Sequence, residues 1–261
     1  MRNYQHIKLE VSDKVAWIIF NRPDQLNAMN ALMMNEIVDA LEKVNTMPGE
    51  EASVCVITGE GKAFMAGADI KEYAQQTSAD FDTFQTKGRS LYATIEGNSK
   101  PVIAAVNGYA FGGGFEIALA CDMMVASAYA KFALPEIGLN LIPGGGGTQR
   151  LPQKLGINLA NELLMTGKVV TADWLLQRGL VNHVYAKEAD FRKEVIAFTS
   201  EMTNKKADRL QALKQLTQAS IAGVQTAVLS LENAKVSEYY MSDAGQEKIQ
   251  AFYQKSLNKK K

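Results

Sequence analysis

KPVIAAVNGYAFGGGFEIALACD, residues 100–122, decides the fold. PVIAAVNG is a short continuous apolar run, the pattern of a strand covered on both faces. Gly112, Gly113 and Gly114 follow, and the helical run FEIALA comes next. A strand that feeds a helix through a glycine turn is the unit of an α/β fold with parallel pairing. On either side, SVCVITG (residues 53–59) and DMMVAS (residues 122–127) look the same, and LVNHVY (residues 180–185) is a weaker copy. Upstream, HIKLEV and VAWIIF predict a hairpin turning at Ser12, Asp13 and Lys14. Asn30 is placed to cap a helix running to about Asn45, with Leu32, Met33, Ile37, Leu41 and Val44 on its apolar face. Pro48-Gly49 stops it.

From about Lys187 the character changes. ADFRKEVIAFTSEM, DRLQALKQLTQASI, VQTAVLSLENAKVSEYY and AGQEKIQAFYQKSL all have helical spacing, and no strand signal survives. The expected organisation is an α/β core over residues 1–187 and a helical region over residues 188–261. Leu210, Leu213, Leu216 and Ile221 form an apolar stripe beyond the core's needs, which predicts contacts between copies of the chain.

The chain has 261 residues, with 28 basic and 28 acidic side chains. Neutral charge argues against a nucleic-acid coat or a membrane-surface binder, and KKADRLQALK is the one candidate basic helix face. Cys55 and Cys121 lie inside apolar runs. Buried free thiols and a reducing, cytoplasmic compartment are expected. There is no CxxC, and the histidines are His6 and His183 alone, so no metal site is expected. MRNYQHIKLEV has no apolar h-region, so no secretory leader is expected. The longest apolar stretch is broken by Asn107, Glu116 and Asp122, which argues against a membrane span.

Three glycine-bearing segments have the means for chemistry. In KAFMAGADIKEY, residues 62–73, the small residues Ala66, Gly67 and Ala68 let a ligand approach the backbone, and the helix start that follows suits an anion. A plain strand-to-helix turn fits the same residues. In the second segment the amides at Gly112 to Gly114 have the position to face a developing oxyanion. Glu116 falls in the first helical turn, either on a solvated face or among its apolar neighbours. In ALPEIGLNLIPGGGGTQRL, residues 133–151, Glu136 is flanked by Leu134, Pro135, Ile137 and Leu139. It reads as a carboxyl in a poorly solvated pocket or as a loop glutamate paired with an arginine such as Arg150. Phosphate-loop, nucleophile-elbow and zinc-helix templates fail, and GGGFEI lacks the third glycine of a dinucleotide fingerprint. His183 reads as structural.

These segments, with NRPDQLNAM, LMTGKVVTA and RGLVNHVY, resemble the crotonase, or enoyl-CoA hydratase/isomerase, family. The resemblance is close over about residues 4–187. It implies a spiral of ββα units with a helical C-terminal trimerisation region, and homotrimers or homohexamers. It implies an acyl-CoA thioester as substrate, coenzyme A entering only as part of that substrate, in fatty-acid β-oxidation or related metabolism. Ala68 and Gly113 look like the two oxyanion-hole donors, and Glu116 and Glu136 like the hydratase pair. By the family's mechanism Glu116 activates water and Glu136 delivers a proton to the α-carbon. Lys62, Ala66, Ala68, Asp69, Ile70 and Lys71 fall along the expected coenzyme A path. The implied reaction is syn hydration of a 2-trans-enoyl-CoA, with a Δ3,Δ2-enoyl-CoA isomerase as the alternative.

There are departures. Phe115 and Asn140 stand where smaller residues are frequent in the family, and DAGQEKIQAFYQKSL departs from the usual tail. Tyr73 follows IKE at the position that, by the resemblance, borders the acyl pocket; with Phe115 it predicts a preference for short acyl groups.

Overall fold

The computed structural model describes residues 4–186, 189–219, 233–234, 236–238 and 240–258. The predicted hairpin is strands β1 (Ile7–Ser12) and β2 (Val15–Phe20). They pair antiparallel with Ser12 opposite Val15. Asp13 and Lys14 hold φ of 53° and 60° between them, the left-handed pair whose twist matches that of the flanking strands.

From β2 the large sheet grows by parallel pairing. It adds β3 (Val54–Gly59), β5 (Val102–Val106), β7 (Met123–Ser127) and β10 (His183–Tyr185), in the order β1-β2-β3-β5-β7-β10. β2 and β5 are buried throughout, as their unbroken apolar runs predict for strands covered on both faces. Helix α1 (Ala31–Thr46) covers one face, and the Asn30 side chain accepts from the Met33 amide at its start. Its buried residues are Met33, Met34, Ile37, Ala40, Leu41 and Val44. Leu32 corrects the predicted face: it is exposed, and Met34, two positions on, is buried instead. Val15, Trp17, Val56 and Ile103 point to the opposite face, where Val195 and Ile196 pack.

A second, four-stranded sheet is built from much shorter pieces. It has the order β4 (Ala63–Met65), β6 (Tyr109–Phe111), β8 (Lys131–Ala133) and β9 (Val170–Thr171). The first three are parallel, so their C-terminal ends share one edge. Each follows a large-sheet strand in sequence, which gives the spiral of the crotonase-like α/β fold. Between them lie helices α2 (Ile70–Tyr73), α3 (Ser78–Gly97), α4 (Gly113–Ala120), α5 (Gly147–Leu155), α6 (Ile157–Thr166) and α7 (Ala172–Leu176).

Past Tyr185 the described residues are helical or irregular. Helices α8 (Phe191–Thr203), α9 (Ala207–Ala219) and α10 (Asp243–Asn258) follow. Residues 187 and 188, where the expected division falls, lie outside the described residues, as do residues 220–232. Of the apolar stripe, Leu210 is half-buried and Leu213 is 61% exposed; Ile221 and the Leu216 side chain lie outside the described residues. Lys214, at the end of the basic run KKADRLQALK, is buried: its Nζ lies 2.8 Å from Asp122 and donates to the Lys100 carbonyl. That charge is committed inside the molecule and offers nothing to a polyanion. Both cysteines are buried and free, and burial pushes the Cys55 thiol up to about 12. No described helix is long and apolar enough to cross a membrane.

Candidate active site

The three parallel strands of the small sheet each run straight into one of the glycine-bearing segments. β4 leads to Ala66, Gly67 and Ala68; β6 leads to Gly112 and Gly113; β8 leads to Leu134, Pro135 and Glu136. Ligand sites in parallel sheets gather where strand ends converge in this way. Here the ends border a cavity of about 370 Å³, lined by Ala66, Ala68, Gly113, Glu116, Glu136 and Ile70 among others. Two carboxylates and two glycine-rich turns far apart in sequence are thus brought together.

Ala68 pairs as a parallel bridge with Met29. The Met29 amide donates to the Gly67 carbonyl and the Asp69 amide donates to the Met29 carbonyl, both at 2.8 Å. A parallel bridge of this kind uses the groups flanking Ala68, so Ala68's own N–H is directed away from Met29. Gly113 is the first residue of α4, and a first helical N–H has no intrahelical acceptor. Both residues line the cavity.

The helix start needs Gly112. Its φ is 51°, and a Cβ there would lie 2.9 Å from Glu136 Oε1. The glutamate on β8's exit therefore stands against the turn that opens α4. Glu136 sits in the 3-10 turn Pro135–Leu139, closed by Asn140 at φ 56°. Asparagine tolerates that left-handed conformation, which accounts for its standing where a glycine is frequent.

Glu116 is 3% exposed, so the solvated-face reading fails. Its Oε1 accepts from the amides of Gly145 and Gly147, each at 2.8 Å. The glycines of the 144–147 loop make room for side chains arriving from elsewhere. A Cβ on Gly147 would lie 2.9 Å from Glu116 Oε1; on Gly145 it would meet the Tyr92 ring, and on Gly146 the Arg150 guanidinium. Arg150 does not pair with Glu136. It makes a two-pronged ion pair with Glu96, at 2.6 and 2.8 Å.

The remaining expected contacts divide. Ile70 lines the cavity beside Ala66 and Ala68. The Asp69 carboxylate accepts from the Lys71 amide, capping α2, and pairs with Arg22 at 2.8 Å. Lys71 is exposed, and Lys62 borders a separate surface depression with Asn107, Tyr109 and Lys131. Among the described residues no cluster of three His, Cys, Asp or Glu side chains has the arrangement to hold a metal ion.

Tyr73 lines the cavity and packs edge-on against Phe81, Phe84 and Tyr240, with centroids 5.0–5.8 Å away. Burial first, then Tyr240 and the two glutamates, raises its hydroxyl above the ordinary tyrosine range. Phe115 corrects the other half of the pocket expectation. It is fully buried against Phe132, 5.2 Å between centroids, and does not line the cavity. A side chain one position before Glu116 on a helix points some 100° away from it.

The sequence reasoning missed Phe84, Gln85 and Tyr92 on α3, and Phe252 on α10, which also line the cavity. A signal for α3 was present: Thr77 and Asp80 form a reciprocal capping box at its start.

Residues 10–259 match the family described as enoyl-CoA hydratase/isomerase. The chain belongs to that family. It is 37% identical over 257 residues to a crotonyl-CoA hydratase of Syntrophomonas wolfei, covering 97% of this chain and 96% of that protein. It is 38% identical over 242 residues to a 2,3-dehydroadipyl-CoA hydratase of Escherichia coli, covering 93% of each. The fold matches the crystal structure of an enoyl-CoA hydratase from Mycobacterium avium subsp. paratuberculosis with a TM-score of 0.87, at 29% identity and 97% coverage of both chains.

Proposed function

We propose that the chain is an enoyl-CoA hydratase, a hydro-lyase that adds water across the double bond of a 2-trans-enoyl-CoA to give a 3-hydroxyacyl-CoA. The observation that carries this reading is the convergence of Glu116, Glu136, Ala68 and Gly113 on one cavity. The amides of Ala68 and Gly113 hold the thioester oxygen. As hydroxide character develops on water and attacks the β-carbon, negative charge moves to that oxygen, where fixed N–H donors stabilise it. Glu116, positioned by the Gly145 and Gly147 amides, takes the proton from water. Glu136 delivers a proton to the α-carbon. Addition from the one side that carries both carboxylates is syn. Oxygen ends on the β-carbon, a proton on the α-carbon, and no redox change occurs. Coenzyme A enters only as part of the substrate, its path running along Lys62, Ala66, Ala68, Asp69, Ile70 and Lys71. An isomerase needs a single carboxylate to carry a proton between carbons, so the presence of two favours the hydratase.

The two relatives named above act on different acyl groups at nearly equal identity, so the acyl preference is argued from the cavity wall. Tyr73 closes part of it with a stiff, well-packed ring, which supports short chains. Helices α8, α9 and α10 belong to the assembly part of the chain. Exposed Leu213 and Phe252 support contacts between copies, and light scattering is expected to give a trimer or hexamer rather than a monomer. Free buried thiols fit a cytoplasmic setting.

The test is loss of the conjugated-thioester absorbance of crotonyl-CoA, beside a 3-enoyl-CoA control. Hydration of the first is expected. Turnover of the 3-enoyl-CoA alone would make the chain an isomerase.

A further inference from the structure

Two amides of one loop hold Glu116 Oε1, and that loop has its own anchor. Gly145 is bonded at both ends of its backbone: its N–H donates to Glu116 Oε1 at 2.8 Å, and its carbonyl accepts from Arg150 Nη1 at 2.5 Å. The other nitrogens of Arg150 are engaged by Glu96, Nε to Oε1 at 2.6 Å and Nη2 to Oε2 at 2.8 Å. Arg150 is 6% exposed and lies with its guanidinium 5.5 Å from the Tyr92 ring centre. Glu96 belongs to α3 and Arg150 to α5, two elements that flank α4, which carries Glu116.

We infer that Arg150 is a positioning residue for the hydration reaction: anchored by Glu96, it fixes the Gly145 peptide and through it the Glu116 carboxylate. The fork geometry of the guanidinium is what the arrangement uses. Two nitrogens grip the carboxylate while the third reaches the carbonyl, which an ammonium on a flexible stem does not reproduce. Gly146 keeps the path open, since a Cβ there would run into the guanidinium. The wall formed by Tyr92 holds the same peptide from the other side, because a Cβ on Gly145 would meet its ring. A carboxylate that must meet a water molecule in one orientation loses rate steeply when its support shifts, by up to about a hundredfold for a displacement near an ångström.

The inference rests on the hydratase reading, and the experiment separates the two. Crotonyl-CoA hydration is measured for the wild type, Arg150→Met, Arg150→Lys and Glu96→Gln, and for Arg150→Met in a Glu116→Gln background. Arg150→Met is expected to lower kcat about thirtyfold with KM within about threefold, and Arg150→Lys to recover only part of that loss. In the Glu116→Gln background the same substitution is expected to cost less than about twofold, because the group it positions is already gone. A folded Arg150→Met protein with wild-type kcat overturns the inference. So does a thirtyfold cost that persists without Glu116. Should Arg150→Met not fold, Glu96→Gln decides: about a fivefold loss of kcat supports the inference, and an unchanged kcat overturns it. A wild type that hydrates nothing overturns the hydratase reading and this inference with it. Hydration by the wild type with Arg150→Met undiminished overturns this inference alone.

Discussion

The two sheets divide the molecule's work. The large sheet has central strands of five or six residues, sealed on both faces. Its side chains face one another, and the chemistry it can do is packing. The small sheet has strands of two or three residues. These are too short to bury much, yet three of them end in Ala66 to Ala68, Gly112–Gly113 and Pro135-Glu136, all on the cavity. Stability is expected to reside mainly in the first sheet, and the proposed site lies at the edge of the second. A substitution in one region should therefore leave the other's property largely intact.

The sharpest separation is expected at the glutamates. Glu116→Gln and Glu136→Gln are each predicted to lower kcat about a thousandfold while thermal unfolding changes little. Combining them should cost little beyond the worse single change, because the two act as a unit. Near-normal turnover in either single variant would break the assignment. Steady-state rates beside melting curves make the measurement.

The mirror experiment lies in the large sheet. Ile57 on β3 is fully buried among core residues. Ile57→Ala is predicted to cost about 2–5 kcal/mol of stability in denaturant unfolding, with the folded protein's kcat unchanged. A comparable fall in kcat would show that the two sheets are not separable.

How far the sequence reached follows the same division. Long apolar runs announced every central strand of the large sheet, and Asn30 announced α1. The strands β4, β6, β8 and β9 carry no such announcement, because two or three residues cannot display a period. The positions of β4, β6 and β8 were legible only through the glycine-bearing segments they lead into, and β9 left no signal. Residue identity located Glu116 and Glu136, but the sequence could not state that twenty residues of chain return to one cavity. Phe115 shows the limit from the other direction: adjacency to Glu116 suggested the pocket, and helical geometry turns the ring into the core. Tyr92 and Phe252 were missed because helix-borne aromatics look alike whether they face core or ligand.

A subtler test concerns the edge of the small sheet itself. Gly113→Pro removes the first N–H of α4 at a position where proline suits a helix, and Gly113→Ala serves as the steric control, since a Cβ there would lie 2.9 Å from Met29 Cε. The proline variant is predicted to be slower than the alanine variant by about a hundredfold, the loss of one oxyanion donor. Equal rates for the two would remove that amide from the mechanism. Circular dichroism checks that both remain folded.

The smallest effect is expected at Tyr73. Tyr73→Met replaces a stiff ring by an adaptable chain and should shift the ratio of kcat/KM for crotonyl-CoA over 2-decenoyl-CoA toward the longer substrate by several-fold, since each methylene is worth only about 0.8 kcal/mol. An unchanged ratio would remove Tyr73 as a determinant of acyl length.

The claim that the small sheet's edge hydrates a conjugated thioester is tested most directly by following the atoms. Crotonyl-CoA is incubated with the protein in deuterium oxide enriched in heavy oxygen, and the product is read by mass spectrometry and NMR. The expected product is 3-hydroxybutanoyl-CoA with one heavy oxygen on the β-carbon and one deuterium on the α-carbon, added to the same face, and no such product forms with the Glu116→Gln, Glu136→Gln double variant. Crotonyl-CoA as the sole species recovered, with no 3-hydroxybutanoyl-CoA carrying heavy oxygen, would contradict the claim, as would full incorporation by the double variant.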